Sequence, residues 1–278
     1  MTDTSAKAPA ELTLEHGGIR LAALDWPGIE PAVVIVPGIT SPAATWAFVV
    51  EALALPNRVI VLDVRGRGRS DAPAGAVYTL AHCASDLEGW IAHLELKEPI
   101  LLGHSMGARI AARFDAQHPG VAGRVIAVDP PLSGPGREPY PFPLAFYIDG
   151  IQRTRAGMTL DELRQSVPTW SDERLHDRLH WLPTCSEHAV AESHRLFQEE
   201  DFLRDWHCVS ASSHLIRGED SPVVSAAALD ELRALQPAGS YESVPTAAHM
   251  VPWDNLPGFV RAVRNIVLPT RLHPSITP

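Results

Sequence analysis

Leu101-Leu102-Gly103-His104-Ser105-Met106-Gly107-Ala108 joins a short apolar run to an Ala-rich helical pattern through Gly-x-Ser-x-Gly. A serine hydroxyl becomes an effective nucleophile when it is held beside a base and facing N–H groups that can stabilise an oxyanion. A tight strand-to-helix turn does this, with small flanking residues keeping the strained backbone clear of clashes. The chemistry would be attack on a carbonyl carbon through a covalent acyl-enzyme. The motif is short enough to arise by chance, and any of 13 histidines could be the base on residue type alone. The surrounding elements must therefore decide.

Those elements alternate. Leu12–Glu15 and Ile19–Trp26 predict a hairpin around Gly17-Gly18, after a frayed start over residues 1–10. Ala32–Val36 and Val59–Asp63 are wholly apolar, β-branched runs up to their last residue, as strands buried on both faces require. The spacing predicts helices over Ala43–Leu55, Leu80–Leu94 and Met106–Gln117, with strands at Ile100–Leu102 and Arg124–Val128. A β-α-β-α-β-α-β run of this kind implies right-handed crossovers and a doubly wound, mostly parallel sheet. Residues 131–208 break the pattern. A Pro/Gly-rich stretch, Pro131–Pro143, leads into helical patterns near Leu144–Arg155, Leu160–Gln165, Glu173–Leu182 and Glu187–Phe202, with Trp170, Trp181 and Trp206 supplying apolar surface. Strand and helix then resume with Leu215–Gly218, Val223–Leu235, Tyr241–Val244 and Trp253–Val267, before a loose tail from Pro269. The expected organisation is a core formed by 1–130 and 209–278, with 131–208 as an inserted helical cap.

Composition bounds the function. A chain of 278 residues with 45% hydrophobic content can bury a sizeable core. A formal charge of −10 argues against nucleic acid or an anionic membrane as partner. No apolar run approaches the roughly 20 residues of a membrane span, and the opening residues lack the apolar segment of a secretory signal, so a cytoplasmic location is expected. Cys83, Cys185 and Cys208 are odd in number and widely spaced, which suggests neither a disulfide framework nor a zinc site.

A Gly-x-Ser-x-Gly elbow in the middle of such a sheet resembles the α/β-hydrolase family over residues 12–268. The resemblance implies an eight-stranded α/β-hydrolase fold, Ser105 as nucleophile and His249, just past the last strand in Val244-Pro245-Thr246-Ala247-Ala248-His249, as base. It places the oxyanion hole at the backbone N–H groups of Met106 and of Ile39, in Pro37-Gly38-Ile39, where relatives more often carry His-Gly. Many relatives carry the triad acid three residues beyond a glycine after the penultimate strand. Here that position is Ser221, with Asp220 one residue short, and the alternative is Asp129 in Val128-Asp129-Pro130-Pro131 at the end of the preceding strand. Ligands collect at strand C-termini in open α/β sheets, which favours Asp129 over Asp220.

Several segments are similar to a narrower group, the N-formylmaleamate deformylases of aerobic nicotinate degradation. These are Val36–Pro42 with Trp46, Leu62–Gly68, Gly103–Arg109, Val128–Arg137, Pro168-Thr169-Trp170 and His249-Met250-Val251-Pro252-Trp253-Asp254. Arg217-Gly218-Glu219 and Val224–Leu229 also resemble the acetamidomethylene-succinate hydrolases. The resemblance implies hydrolysis of a linear amide C–N bond in a small anionic substrate, with no cofactor and no metal. Arg109, one helical turn past Ser105, and Arg137, beyond Asp129, are candidates for the substrate carboxylate, whereas Arg65, Arg67 and Arg69 belong to a loop where arginines are often structural. Trp46, Trp170 or Trp181 could wall a small pocket. A carboxylesterase or lactonase would carry the same triad, and a ligand receptor on this fold remains the non-enzyme alternative.

Overall fold

The computed structural model describes residues 8–268; the expected loose tail from Pro269, and the first seven residues of the expected frayed start, lie outside them. Eight strands form one sheet: β1 Ala10–His16, β2 Ile19–Trp26, β3 Ile29–Val36, β4 Asn57–Asp63, β5 Ile100–His104, β6 Arg124–Val128, β7 Ser212–Gly218 and β8 Ser240–Val244. Their order across the sheet is β1-β2-β4-β3-β5-β6-β7-β8. The β1–β2 and β2–β4 pairs are antiparallel and the remainder parallel. This is the expected doubly wound α/β-hydrolase sheet.

The apolar runs explain why the sheet is covered twice. Along β3, Ala32, Val34 and Val36 pack into one core with α2 (Leu80–His93) and α3 (Met106–Gln117). Val33 and Ile35 pack into the other with α1 (Ala47–Leu53) and α11 (Leu256–Val267). Val125 and Ala127 of β6 join the first core, Ile126 and Val128 the second. Side chains alternate along a strand, so a strand covered on both faces must be apolar at every step.

Register then assembles the site. Val36 pairs with Gly103, Gly103 with Ala127, His104 with Val128, and Val128 with Ile216. The C-terminal ends of β3, β5, β6 and β7 are thereby level, and the loops that follow them emerge side by side. β3 and β5 are neighbours in space but not in sequence, which makes their junction a topological switch point, where open α/β sheets bind ligands.

Five helices separate β6 from β7: α4 Leu144–Arg155, α5 Leu160–Ser166, α6 Asp172–Trp181, α7 Glu187–Glu199 and α8 Phe202–His207. They are tied to the loops at the strand ends: Arg178 of α6 donates to the Thr40 carbonyl, and the Ser186 N–H to the Gly66 carbonyl. Four boundaries differ from the spacing. The stretch expected as one helix over Ala43–Leu55 is a 3₁₀ turn, Ala43–Trp46, followed by α1, and its start is anchored by the Ala43 N–H donating to Asp63 Oδ1 at 2.6 Å. Glu187–Phe202 stops at Glu199, and α8 begins anew where Asp201 accepts from the Leu203 N–H. The final helix divides into α10 (Val251–Asp254) and α11, with Asn255 capping Gly258. The helix expected over Val223–Leu235 starts at Ala226 as α9 (Ala226–Leu235), capped by Ser225.

Candidate active site

Ser105 sits at φ 54°, ψ −118°, between the end of β5 and the first residue of α3. That conformation is strained for a residue with a Cβ. It is held by the Ser105 N–H donating to the Val128 carbonyl at 2.8 Å. The flanking glycines are required by contact. A Cβ at Gly107 would lie 1.8 Å from the Val36 carbonyl oxygen, and one at Gly103 would lie 2.3 Å from the Gly107 carbonyl oxygen. Helix and strands therefore approach to backbone distance, as a nucleophile elbow needs.

Three side chains converge there. His249 Nε2 stands 3.0 Å from Ser105 Oγ, and Nδ1 donates to Asp129 Oδ2 at 2.7 Å. Asp129 is fully buried and lies just past β6 at φ 46°. Ser221, at the position where relatives more often carry the acid, donates its hydroxyl to Asp129 Oδ2 at 2.6 Å, and the Gly218 N–H donates to Oδ1 at 3.3 Å. Three donors thus converge on this buried carboxylate. Asp220 is exposed, and the carboxylate that reaches the imidazole is that of Asp129.

The loop carrying His249 is fixed from two sides. Asp254 Oδ2 accepts from the Ala248 N–H at 3.0 Å. His104 Nε2–H donates to the His249 carbonyl at 2.9 Å, with the two rings 5.2 Å apart. Burial pushes His104 down to about 3, assisted by the neighbouring His249, so it remains a neutral donor. This carries a stability consequence. The folded-state value lies below the unfolded value near 6.5, so the unfolded chain binds the proton first. Stability present above pH 6.5 is therefore lost as the pH falls from there toward 3, by roughly 3–5 kcal/mol in full. Urea midpoints measured against pH should show this slope, and His104→Gln should flatten it.

The two N–H groups expected to meet an oxyanion are those of Met106 and Ile39. Met106 is the first residue of α3, and first-turn N–H groups have no partner within their helix. Ile39 follows β3 and its N–H makes no backbone hydrogen bond among the described residues. Arg67 ties the two residues together. It donates to the Ile39 carbonyl at 3.1 Å and to Ser193 Oγ of α7 at 2.8 Å, and stands 3.9 Å from Met106 Sδ. Arg65 pairs with Asp86, and Arg69 with Glu11, so this loop's arginines are scaffold, as expected.

A family model described as the alpha/beta hydrolase fold matches residues 31–256. The chain belongs to this family. Among alpha/beta hydrolases it is 42% identical to N-formylmaleamate deformylase of Pseudomonas putida over 245 residues, covering 88% of this chain and 91% of that one. It is 29% identical to 2-(acetamidomethylene)succinate hydrolase of Mesorhizobium japonicum, covering 81% and 83%. The crystal structure of the N-formylmaleamic acid deformylase of Pseudomonas putida S16 superposes with a TM-score of 0.87 at 38% identity, over 91% of this chain and 100% of that one.

Within this hydrolase the two arginines expected to bind a substrate carboxylate are engaged elsewhere. Arg109 is 1% exposed and donates to the carbonyls of Pro131, Ser133, Phe197 and Glu200. It lies on the buried side of α3, clamping the loop after β6 to α7. Arg137 forks onto Glu231 at 2.8 Å and donates to the Leu132 carbonyl. Of the tryptophans, Trp46 is buried beneath His104 and Trp253, Trp181 lies under Arg69, and Trp170 stacks on Trp253 beside a cleft.

The spacing did not point to the residues that do surround the nucleophile from above. Tyr140 Oη is 3.3 Å from His249 Nε2 and 3.1 Å from Tyr147 Oη, and Phe142 lies over the imidazole with centroids 5.8 Å apart. Burial raises both phenols, Tyr140 well above its ordinary value and Tyr147 to about 12. Both are therefore neutral hydroxyls at physiological pH.

Proposed function

We propose that this chain is a serine hydrolase of a linear amide C–N bond, and that its substrate is N-formylmaleamate, cleaved to formate and maleamate. The observation that carries the reaction class is the hydrogen-bonded line from Ser105 through His249 to Asp129. In this reading Nε2 of His249 takes the proton of Ser105 as Oγ attacks the formyl carbon. The negative charge on the former carbonyl oxygen is met by the N–H groups of Ile39 and Met106, each worth roughly 3 kcal/mol in the transition state. Asp129 keeps the proton on Nδ1, so that Nε2 can accept, and stabilises the imidazolium that forms. The C–N bond then breaks, His249 gives its proton to the departing nitrogen, and a formyl ester on Ser105 remains. That nitrogen is flanked by a second carbonyl and leaves more readily than an ordinary amine. Water, deprotonated by His249, attacks the ester, and formate leaves as Oγ regains its proton. No step calls for a metal or cofactor.

The substrate rests on the 42% identity to a deformylase over most of both chains. Residues 131–208 act in this reading as a cap over the core, and the enzyme serves nicotinate degradation in the cytoplasm. Purified protein incubated with N-formylmaleamate should release formate and maleamate in equal amounts, faster than it turns over acetamidomethylene succinate or a p-nitrophenyl ester. Faster hydrolysis of acetamidomethylene succinate would move the substrate to that of the second relative and leave the reaction class standing.

A further inference from the structure

Arg178 differs from the other arginines near the nucleophile in what its guanidinium lacks. Arg67 and Arg109 are buried without a carboxylate, but each spends its donors on four or more acceptors. Arg178 makes two hydrogen bonds, from Nη1 to the Thr40 carbonyl at 2.5 Å and from Nη2 to Thr40 Oγ1 at 3.1 Å. A guanidinium has five N–H donors. Among the described residues no carboxylate lies within 4 Å of it. Part-buried and with donors unspent, this guanidinium is available to a carboxylate.

Its position gives the missing group a place in the reaction. Thr40 directly follows Ile39, the residue whose N–H faces the developing oxyanion. From the other side, the groups above the imidazole form a chain: Nε2 of His249, the Tyr140 hydroxyl at 3.3 Å and the Tyr147 hydroxyl 3.1 Å further on, and the Arg178 charge holds the Tyr147 phenol lower than burial alone would. Nε2 is the atom that must protonate the leaving nitrogen, so this chain marks the leaving-group side. Arg178 is also partly accessible and lines a small cleft with Ser41, Trp170 and Met250, the residue after His249. With Arg174, Asp177 and Arg178 the cleft lining carries a net positive charge, and the Arg174 guanidinium is spent on the Phe48 ring, 3.8 Å away, and on Ser171 Oγ.

We infer that Arg178 is the subsite for the carboxylate of the leaving group, selecting amides whose amine side ends in a short-chain anion. The choice of probe rests on the deformylase reading; the existence of the subsite does not. The inference replaces Arg109 and Arg137 with a residue that keeps part of its donors unspent. A fork of charge-assisted hydrogen bonds on a carboxylate should be worth about 10- to 100-fold in affinity.

The test has a binding arm and a kinetic arm. Ser105→Ala protein should bind maleamate by calorimetry, and Ser105→Ala with Arg178→Gln should bind it about 10- to 100-fold more weakly. In the active enzyme, the kcat/KM ratio of N-formylmaleamate to its methyl ester should fall by a similar factor in Arg178→Gln, with Arg178→Lys recovering part of it. The ratio cancels any disturbance of the Thr40 loop, because that affects acid and ester alike. An unchanged ratio, or maleamate binding that is absent or independent of Arg178, overturns the inference. Failure of the wild-type protein to release formate would instead sink the substrate reading, and the maleamate arm would still decide the subsite.

Discussion

Ser105→Ala should lower kcat for formate release by about 10⁵- to 10⁶-fold while leaving the fold and substrate binding in place. The size follows from what survives. The two N–H groups at Ile39 and Met106 and the bound orientation of the substrate remain, and in hydrolases of this type they sustain only about 10³- to 10⁴-fold catalysis over water. No other nucleophile is available at the elbow. Cys83 and Cys185 are buried, and burial raises their thiols to about 12 and about 11. Alanine keeps the Cβ that Ser105 already holds at φ 54°, so the backbone strain is the same in both proteins. The lost contact is the 3.0 Å hydrogen bond to His249, and the urea midpoint should move by no more than about 1 kcal/mol. A fluorophosphonate probe should label the wild type on Ser105 and leave the variant unlabelled. Activity within tenfold of wild type would require a different nucleophile and would discard the mechanism.

The parts of the fold legible in the sequence were those with only one physical solution. Ala32–Val36 and Arg124–Val128 are apolar at nearly every step, and only a strand covered on both faces accommodates that. Ser105 and His249 were legible because an elbow between strand and helix, and a histidine after the last strand, are tied to local chain positions. The helix ends were less so. Asp63 capturing the Ala43 N–H from another strand is a tertiary contact, and no period along Ala43–Leu55 carries it. Arg109 shows the same limit at the site. One helical turn from the nucleophile in sequence, it points to the side of α3 that packs on the loop after β6 and on α7. Tyr140, Tyr147 and Arg178 come from the stretch between β6 and β7, whose placement is set by tertiary packing. That Arg178 has no carboxylate within 4 Å among the described residues is a property of the assembled surface, and no spacing encodes it. Ser221 lies between these cases. Its sequence position marked where an acid was missing, and the structure gives it a donor's role toward the acid one strand away.

That displaced acid yields a second large effect. Asp129→Asn should lower kcat by about 10⁴-fold, and Asp220→Asn should leave it within about twofold. At Asp129 the Oδ2 atom accepts from two donors, His249 Nδ1–H and the Ser221 hydroxyl, while Oδ1 faces the Gly218 N–H. An asparagine amide has one acceptor and one donor end. With its NH₂ toward His249, donor meets donor, the imidazole moves its proton to Nε2, and Nε2 can no longer accept from Ser105. With its oxygen toward His249, the NH₂ confronts the Gly218 N–H, and no negative charge remains to stabilise the imidazolium. Both arrangements remove what the carboxylate supplies to the transition state, so kcat should fall with little change in KM. Asp220 is exposed and its carboxylate touches neither His249 nor Ser105, so neutralising it removes only a solvated charge. Measuring kcat for both variants against N-formylmaleamate orders the two aspartates directly. A large loss from Asp220→Asn with Asp129→Asn near wild type would return the acid to the strand after the inserted helices and make the 2.7 Å contact at His249 a structural one.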